Sequence, residues 1–256
     1  MHPVRLASII EGVRDEGVAL AKAAGNYLIG LPDPHDEDLI ELVECRDEVP
    51  ACYLTPVFLV HGFLHNWSGW LPLMAVLRDA GFARFVRFSY GGFGDSPEET
   101  AGALTRRVFE VVERTRARRI HFVGHSLGGV VVRIHAVMHG GDARLSRAVT
   151  LGAPLLGTPW GYLPNPTAFR ELRPGSELVT LLANADDDRS RWMTVAGGAD
   201  LVVPPRYAHL PGAARQVTIP GLGHVGLLYR EQVWHLVRDT FVAAEEAEEE
   251  AAVSRG

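Results

Sequence analysis

Gly124-His125-Ser126-Leu127-Gly128 is the stretch of this 256-residue chain best placed to do chemistry. It is a G-x-S-x-G between a strand pattern and a helix pattern. Before it, Arg119-Ile120-His121-Phe122-Val123 reads as a short strand, apolar and β-branched in the right places. After it, Val130 to Met138 is long enough for a buried helix and ends at Gly140-Gly141. A serine on the sharp turn between them is forced into a strained backbone conformation that lifts its hydroxyl clear of the sheet. The glycines are needed because a Cβ at either position would strike a neighbouring strand or helix. Such a hydroxyl is a candidate nucleophile. A serine alkoxide does not persist at neutral pH, so Ser126 needs a base within hydrogen-bond reach and a group to orient that base.

The elements that must position these groups alternate along the chain. Apolar residues at Leu6, Ile9, Ile10, Val13, Leu20, Ala24, Tyr27, Leu28 and Leu31 predict a helix over residues 4–31, stopped by Pro32-Asp33-Pro34. Residues 33–51 are acidic and irregular, with a short strand at Leu39 to Val43. Tyr53 to Val60 is a nearly continuous apolar run, as expected of a strand buried on both faces of a parallel sheet. Helices follow at about 67–80 and 98–117, with a strand at 84–90 between them. Further strands are expected at 147–151, 192–196 and 216–219, and a closing helix at about 225–243. Strands separated by helices imply an α/β fold: a doubly wound, mostly parallel sheet with helices on both faces. We divide the chain into an N-terminal helix and acidic connector packed on the core (1–52), one α/β domain (53–243) with a small cap insertion at about 155–188, and a disordered acidic tail (244–256).

The sequence resembles the α/β-hydrolase superfamily, and more narrowly its small bacterial serine lipases and esterases. His61-Gly62-Phe63 after the first buried strand matches the family's HG-x loop, and Gly124 to Gly129 matches the lipase form of the serine motif. Leu151-Gly152-Ala153-Pro154, with Gly157-Thr158-Pro159 beyond it, resembles the segment after the next strand. The resemblance covers roughly residues 53–242 and implies a chain order of serine, acid, histidine.

Eleven histidines compete for the base. His2 and His35 precede the fold, His61 and His65 belong to the HG-x loop and the helix after it, and His121, His125, His135 and His139 are too close to the serine strand and helix to face the hydroxyl from an opposing loop. Of His209, His224 and His235, His224 lies in the glycine-rich Pro220 to Gly226 loop directly after the last strand, at the same end of the sheet as Ser126. The acid expected after the preceding strand is Asp200, with Val202-Val203-Pro204 following as in the family. Asp186, Asp187 and Asp188 read as a surface-like charge run at the wrong end of that strand, and Asp95 as a turn residue. The resemblance assigns the oxyanion to the backbone N–H groups of Leu127, at a helix start, and Phe63. His61 is expected to bond backbone and hold the loop.

Between Pro154 and Asp188, the prolines and the side chains Trp160, Tyr162, Leu163 and Phe169 suggest a cap over an acyl pocket. Leu64, Trp67, Trp160 and Tyr162 are the candidate substrate contacts. The expected activity is cleavage of carboxylic esters with apolar acyl groups. Acyl transfer, thioester hydrolysis and a non-catalytic hydrolase-fold binding role are the alternatives. No metal or organic cofactor is called for. A net charge of −6 without a basic patch argues against nucleic acid, and no apolar run reaches the ~20 residues of a membrane span. The expected partner is a small-molecule or lipid ester, with room for transient contact at a lipid interface. The absence of a leader pattern suggests the cytoplasm, or export if a leader preceded this sequence. Cys45 and Cys52 lie near each other and would bridge if the chain were exported, whereas on the cytoplasmic reading they would be free thiols.

Overall fold

The computed structural model describes residues 14–25, 40–42, 52–91, 95–162 and 167–254. A helix, α1, covers 14–25; the rest of the expected N-terminal helix, most of the acidic connector, Cys45 and Leu163 lie outside the described residues.

Among the described residues the core is one seven-stranded sheet in the order β1-β3-β2-β4-β5-β6-β7, formed by β1 (Ile40–Leu42), β2 (Val57–Val60), β3 (Arg84–Phe88), β4 (Ile120–His125), β5 (Leu145–Leu151), β6 (Trp192–Gly197) and β7 (Arg215–Ile219). Only β1 runs antiparallel to its neighbour; the other six strands are parallel. Alternation along β2 explains why its sequence is apolar throughout. Phe58 and Val60 join the core beneath α3 (Pro97–Thr115) and α4 (Leu127–Met138), whereas Val57 and Leu59 face α2 (Leu71–Asp79) and α9 (Glu231–Val253). The chain passes from β2 outward to β3, then returns to lay β4 on the other side of β2. The direction of winding therefore reverses at the β2/β4 pair, and a crevice opens beyond the carboxyl ends of these two strands.

Local signals account for the helix ends. Ser96 caps α3, with Glu99 completing the reciprocal capping box, and α3 ends at Arg116 with φ of +56°. The closing helix is not continuous: a one-turn helix, α8 (Gly226–Tyr229), breaks at Arg230, whose extended backbone precedes α9. The acidic tail also departs from expectation, since α9 continues to Val253. Val233, Val237, Phe241, Ala244 and Glu245 form one buried stripe that ends at the first residue of the charge run; Glu246 to Glu250 are helical but exposed. Cys52 is disulfide-bonded, in line with the bridging alternative and against free thiols.

Candidate active site

Ser126 sits between β4 and α4 with φ of +52° and ψ of −124°, a conformation costly for a residue with a side chain. Its neighbours show why the motif needs glycine. A Cβ on Gly124 would lie 2.5 Å from the Gly129 Cα, and one on Gly128 would overlap the carbonyl oxygens of Val60 and His61. The Ser126 N–H donates to the Leu151 carbonyl at 2.9 Å, fixing the turn to β5.

His224 and Asp200 arrive on adjacent loops, after β7 and β6. These loops are tied together by Gly198 N–H to Ile219 O (2.8 Å) and Ala199 N–H to Leu222 O (2.9 Å). His224 Nε2 lies 2.9 Å from Ser126 Oγ, and His224 Nδ1 lies 2.7 Å from Asp200 Oδ2. The other carboxylate oxygen, Oδ1, accepts from the N–H groups of Val202 and Val203 at 2.8 and 2.7 Å. The carboxylate is thus buried with both oxygens occupied, and the network selects the imidazole tautomer that donates from Nδ1. Above this contact Gly152 leaves no room for a side chain: a Cβ there would stand 3.2 Å from both Asp200 Oδ2 and His224 Nδ1.

The His61-Gly62 turn packs directly on the serine, with a Cβ at Gly62 falling 2.9 Å from the Ser126 Cβ. His61 Nδ1 donates to the Gly62 carbonyl at 2.9 Å, its ring stacks on Tyr90 at 4.4 Å, and the Tyr90 hydroxyl donates to the His61 carbonyl at 2.7 Å. Phe63 follows this turn, and Leu127 opens α4. Burial lowers the pKa of His61 to about 4. It does the same to His65, with the nearby His224 contributing, and pushes His125 well below the ordinary value. All three stay neutral at neutral pH, so these rings add no positive charge beside Ser126.

Two of the sequence assignments look different in three dimensions, and a third contact comes from a residue the sequence did not single out. His125, set aside as too local, donates from Nε2 to the His224 backbone carbonyl at 3.2 Å. Asp187 is not a free surface charge: its side chain is only 5% exposed and pairs with the fully buried Arg133 of α4, whose guanidinium also reaches the Leu182 carbonyl at 3.0 Å and lies over Trp192. Burial alone would raise the Asp187 pKa, but Arg133 and Arg189 outweigh it and hold it low. Glu16 of α1 accepts from the amides of Val225 and Gly226, next to His224. Of the rival bases, His209 is held between Thr194 and Thr218 hydroxyls at 2.9 and 2.8 Å, and His235 is half-exposed beside Glu231.

The candidate substrate contacts divide. Leu64 is half exposed beside the serine loop, with φ of +56°. The Trp160 indole donates to the Leu201 carbonyl at 3.0 Å, next to Asp200, and Tyr162 is 66% exposed. Phe169 meets Phe63 edge-on at 5.0 Å, so the insertion touches both the acid loop and the serine-side loop. Trp67 instead lies under the Arg87 guanidinium of β3, 4.3 Å from its ring. Beneath its rim the insertion is a packed part of the core, with Leu155, Leu172 and, on α6 (Glu177–Asn184), Leu182 buried against the sheet.

A family model described as alpha/beta hydrolase fold matches residues 55–176. Among solved structures, the chain is similar to a Bacillus licheniformis lipase in mature form (TM-score 0.60, 19% identity, covering 74% of this chain and 91% of that one). It is also similar to a thermophilic esterase from Thermogutta terrifontis (0.54, 17%, 80% and 93%). A third is a meta-cleavage product hydrolase from Pseudomonas fluorescens (0.52, 16%, 74% and 91%). At these identities the likeness establishes the fold and leaves the reaction to be argued from the site.

Proposed function

The chain has the α/β-hydrolase fold, and on that premise we propose that it is a serine hydrolase that cleaves carboxylic esters with apolar acyl groups. The observation that carries this reading is the continuous line from Ser126 Oγ through His224 to Asp200, with contacts of 2.9 and 2.7 Å. His224 Nε2 takes the Ser126 proton as Oγ attacks the ester carbonyl, and Asp200 stabilises the imidazolium without taking its proton. The tetrahedral oxyanion is assigned to the Leu127 and Phe63 amides, supported by the helix start at Leu127 and by Gly62 packing on Ser126. Collapse releases the alcohol with the proton from His224. Water, activated by the same histidine, then hydrolyses the acyl-enzyme.

The apolar preference rests on Leu64, Trp160, Tyr162 and Leu201, all exposed large hydrophobic side chains. The same rim is where transient contact with a lipid interface would occur. The described helices include none long and apolar enough to cross a membrane. The disulfide at Cys52 favours an oxidising compartment over the cytoplasm.

Turnover of p-nitrophenyl esters of increasing chain length tests the reading. Ser126→Ala should abolish turnover to within about 10³-fold of the solution rate while the protein stays folded. Replacing Trp160, Tyr162 and Phe169 with Ala should lower kcat/KM for long acyl chains more than for acetate, since each methylene buried against them contributes about 0.8 kcal/mol. Near wild-type turnover by folded Ser126→Ala overturns the catalytic assignment. Equal losses across chain lengths overturn the substrate class.

A further inference from the structure

The backbone that carries His224 is gripped from two sides. On one, His125 Nε2 donates to the His224 carbonyl. On the other, the next two amides, Val225 and Gly226, both donate to Glu16, at 2.7 Å to Oε1 and 2.9 Å to Oε2. Glu16 is 209 residues away in sequence, on α1, which contributes no strand to the sheet. A carboxylate received by two consecutive amides is held by charge-assisted bonds in a fixed plane, and it fixes the peptide units that donate to it.

A second observation comes from the loop. Gly223, the residue before His224, has no left-handed backbone angle to explain it, yet a Cβ there would overlap Glu16 Oε2. Glycine at this position makes room for the carboxylate. The adjoining pair, Asp15 with Arg230 at 2.5 Å, is 44% exposed on both sides and contributes little by comparison.

We propose that Glu16 is a positioning residue for His224: through the Val225 and Gly226 amides it sets the register of the histidine loop, and so the approach of Nε2 to Ser126 Oγ. This inference rests on the serine-hydrolase reading above. A displacement of about 1 Å at a general base is enough to cost up to about 10²-fold in rate.

The test begins with fluorophosphonate titration of the full chain, which counts competent sites and gives kcat per site. Failure of the wild-type protein to label would refute the hydrolase reading, and this inference with it. If the wild type labels, Glu16→Ala should lower kcat per titrated site roughly 10- to 100-fold with KM within about threefold. Glu16→Gln, which keeps one acceptor oxygen, should fall between the two, and Asp15→Ala should stay within about twofold of wild type. Gly223→Ala should impair the wild type but add little to Glu16→Ala, because the side chain it strikes is gone. The inference is overturned if kcat per site in Glu16→Ala stays within twofold of wild type, if its loss lies wholly in the fraction of titratable sites, or if the Gly223 and Glu16 effects are additive. Should Glu16→Ala fail to fold, the same criteria apply to Glu16→Gln alone and combined with Gly223→Ala.

Discussion

Strand β4 carries a buried histidine–carboxylate contact near each of its ends, and both measure 2.7 Å. Past its carboxyl end His224 meets Asp200; at its amino end His121 meets Glu245 of α9. The carboxylates differ in their second partners. Asp200 is anchored by two backbone amides, whereas Glu245 accepts from the Thr55 hydroxyl at 3.0 Å. The imidazoles differ more. His224 offers its free nitrogen to a strained serine, while the Nδ1 of His121 is buried without a hydrogen-bond partner and its ring stacks on Phe241 at 4.3 Å. Burial lowers the His121 pKa although Glu245 pulls it upward, so this imidazole stays neutral and simply donates. A histidine–carboxylate pair is therefore not a catalytic device by itself. It becomes one when the second nitrogen faces a nucleophile and the carboxylate is held in place from behind.

Asp200→Asn should separate the two ends most sharply. It keeps the size of the side chain, favours the wrong His224 tautomer, and should lower kcat by up to about 10⁴-fold with little change in the melting curve. Asp187→Asn should do the reverse, leaving kcat per folded molecule near wild type. Its cost in denaturant unfolding should be about 3–5 kcal/mol, because Arg133 would stay buried without its counter-charge. Glu245→Ala should cost about 1–3 kcal/mol by orphaning the His121 N–H, with kcat within about twofold of wild type. A large kcat loss in Glu245→Ala at unchanged stability would mean that the two ends are coupled.

Acid should weaken the active-site end progressively. His61 and His65 have pKa values lowered to about 4 in the folded chain, against an ordinary 6.5. Their contribution is complete above pH 6.5 and is lost as the pH falls through about 4, because the unfolded chain takes up protons first. Melting temperatures recorded from pH 7 to pH 4 should fall across that window. In a His65→Gln variant the fall should be shallower.

Much of this was legible in the sequence for identifiable reasons. The apolar run at Val57 to Val60 can belong only to a strand covered on both sides, and a glycine-flanked serine between strand and helix marks a tight turn. The loops after β6 and β7 follow from the order of elements, which brought Asp200 and His224 forward. Glu16 was invisible because it binds backbone amides, which no residue type advertises, across almost the whole chain. Arg133 did leave a signal: one arginine in the largely apolar helix from Val130 to Met138 requires a buried counter-charge, which the acidic run at 186–188 supplies through Asp187. In the tail, net charge obscured the four-residue spacing of Val233, Val237, Phe241 and Glu245, which continues the packed face.

Intact-protein mass spectrometry after brief exposure to a fluorophosphonate tests the central claim most directly. One adduct should form on the wild-type chain, map to Ser126 and be absent from Ser126→Ala. It should form far more slowly in Asp200→Asn and at the wild-type rate in Glu245→Ala. An adduct on another residue, or equal labelling rates in Asp200→Asn and the wild type, would contradict the account.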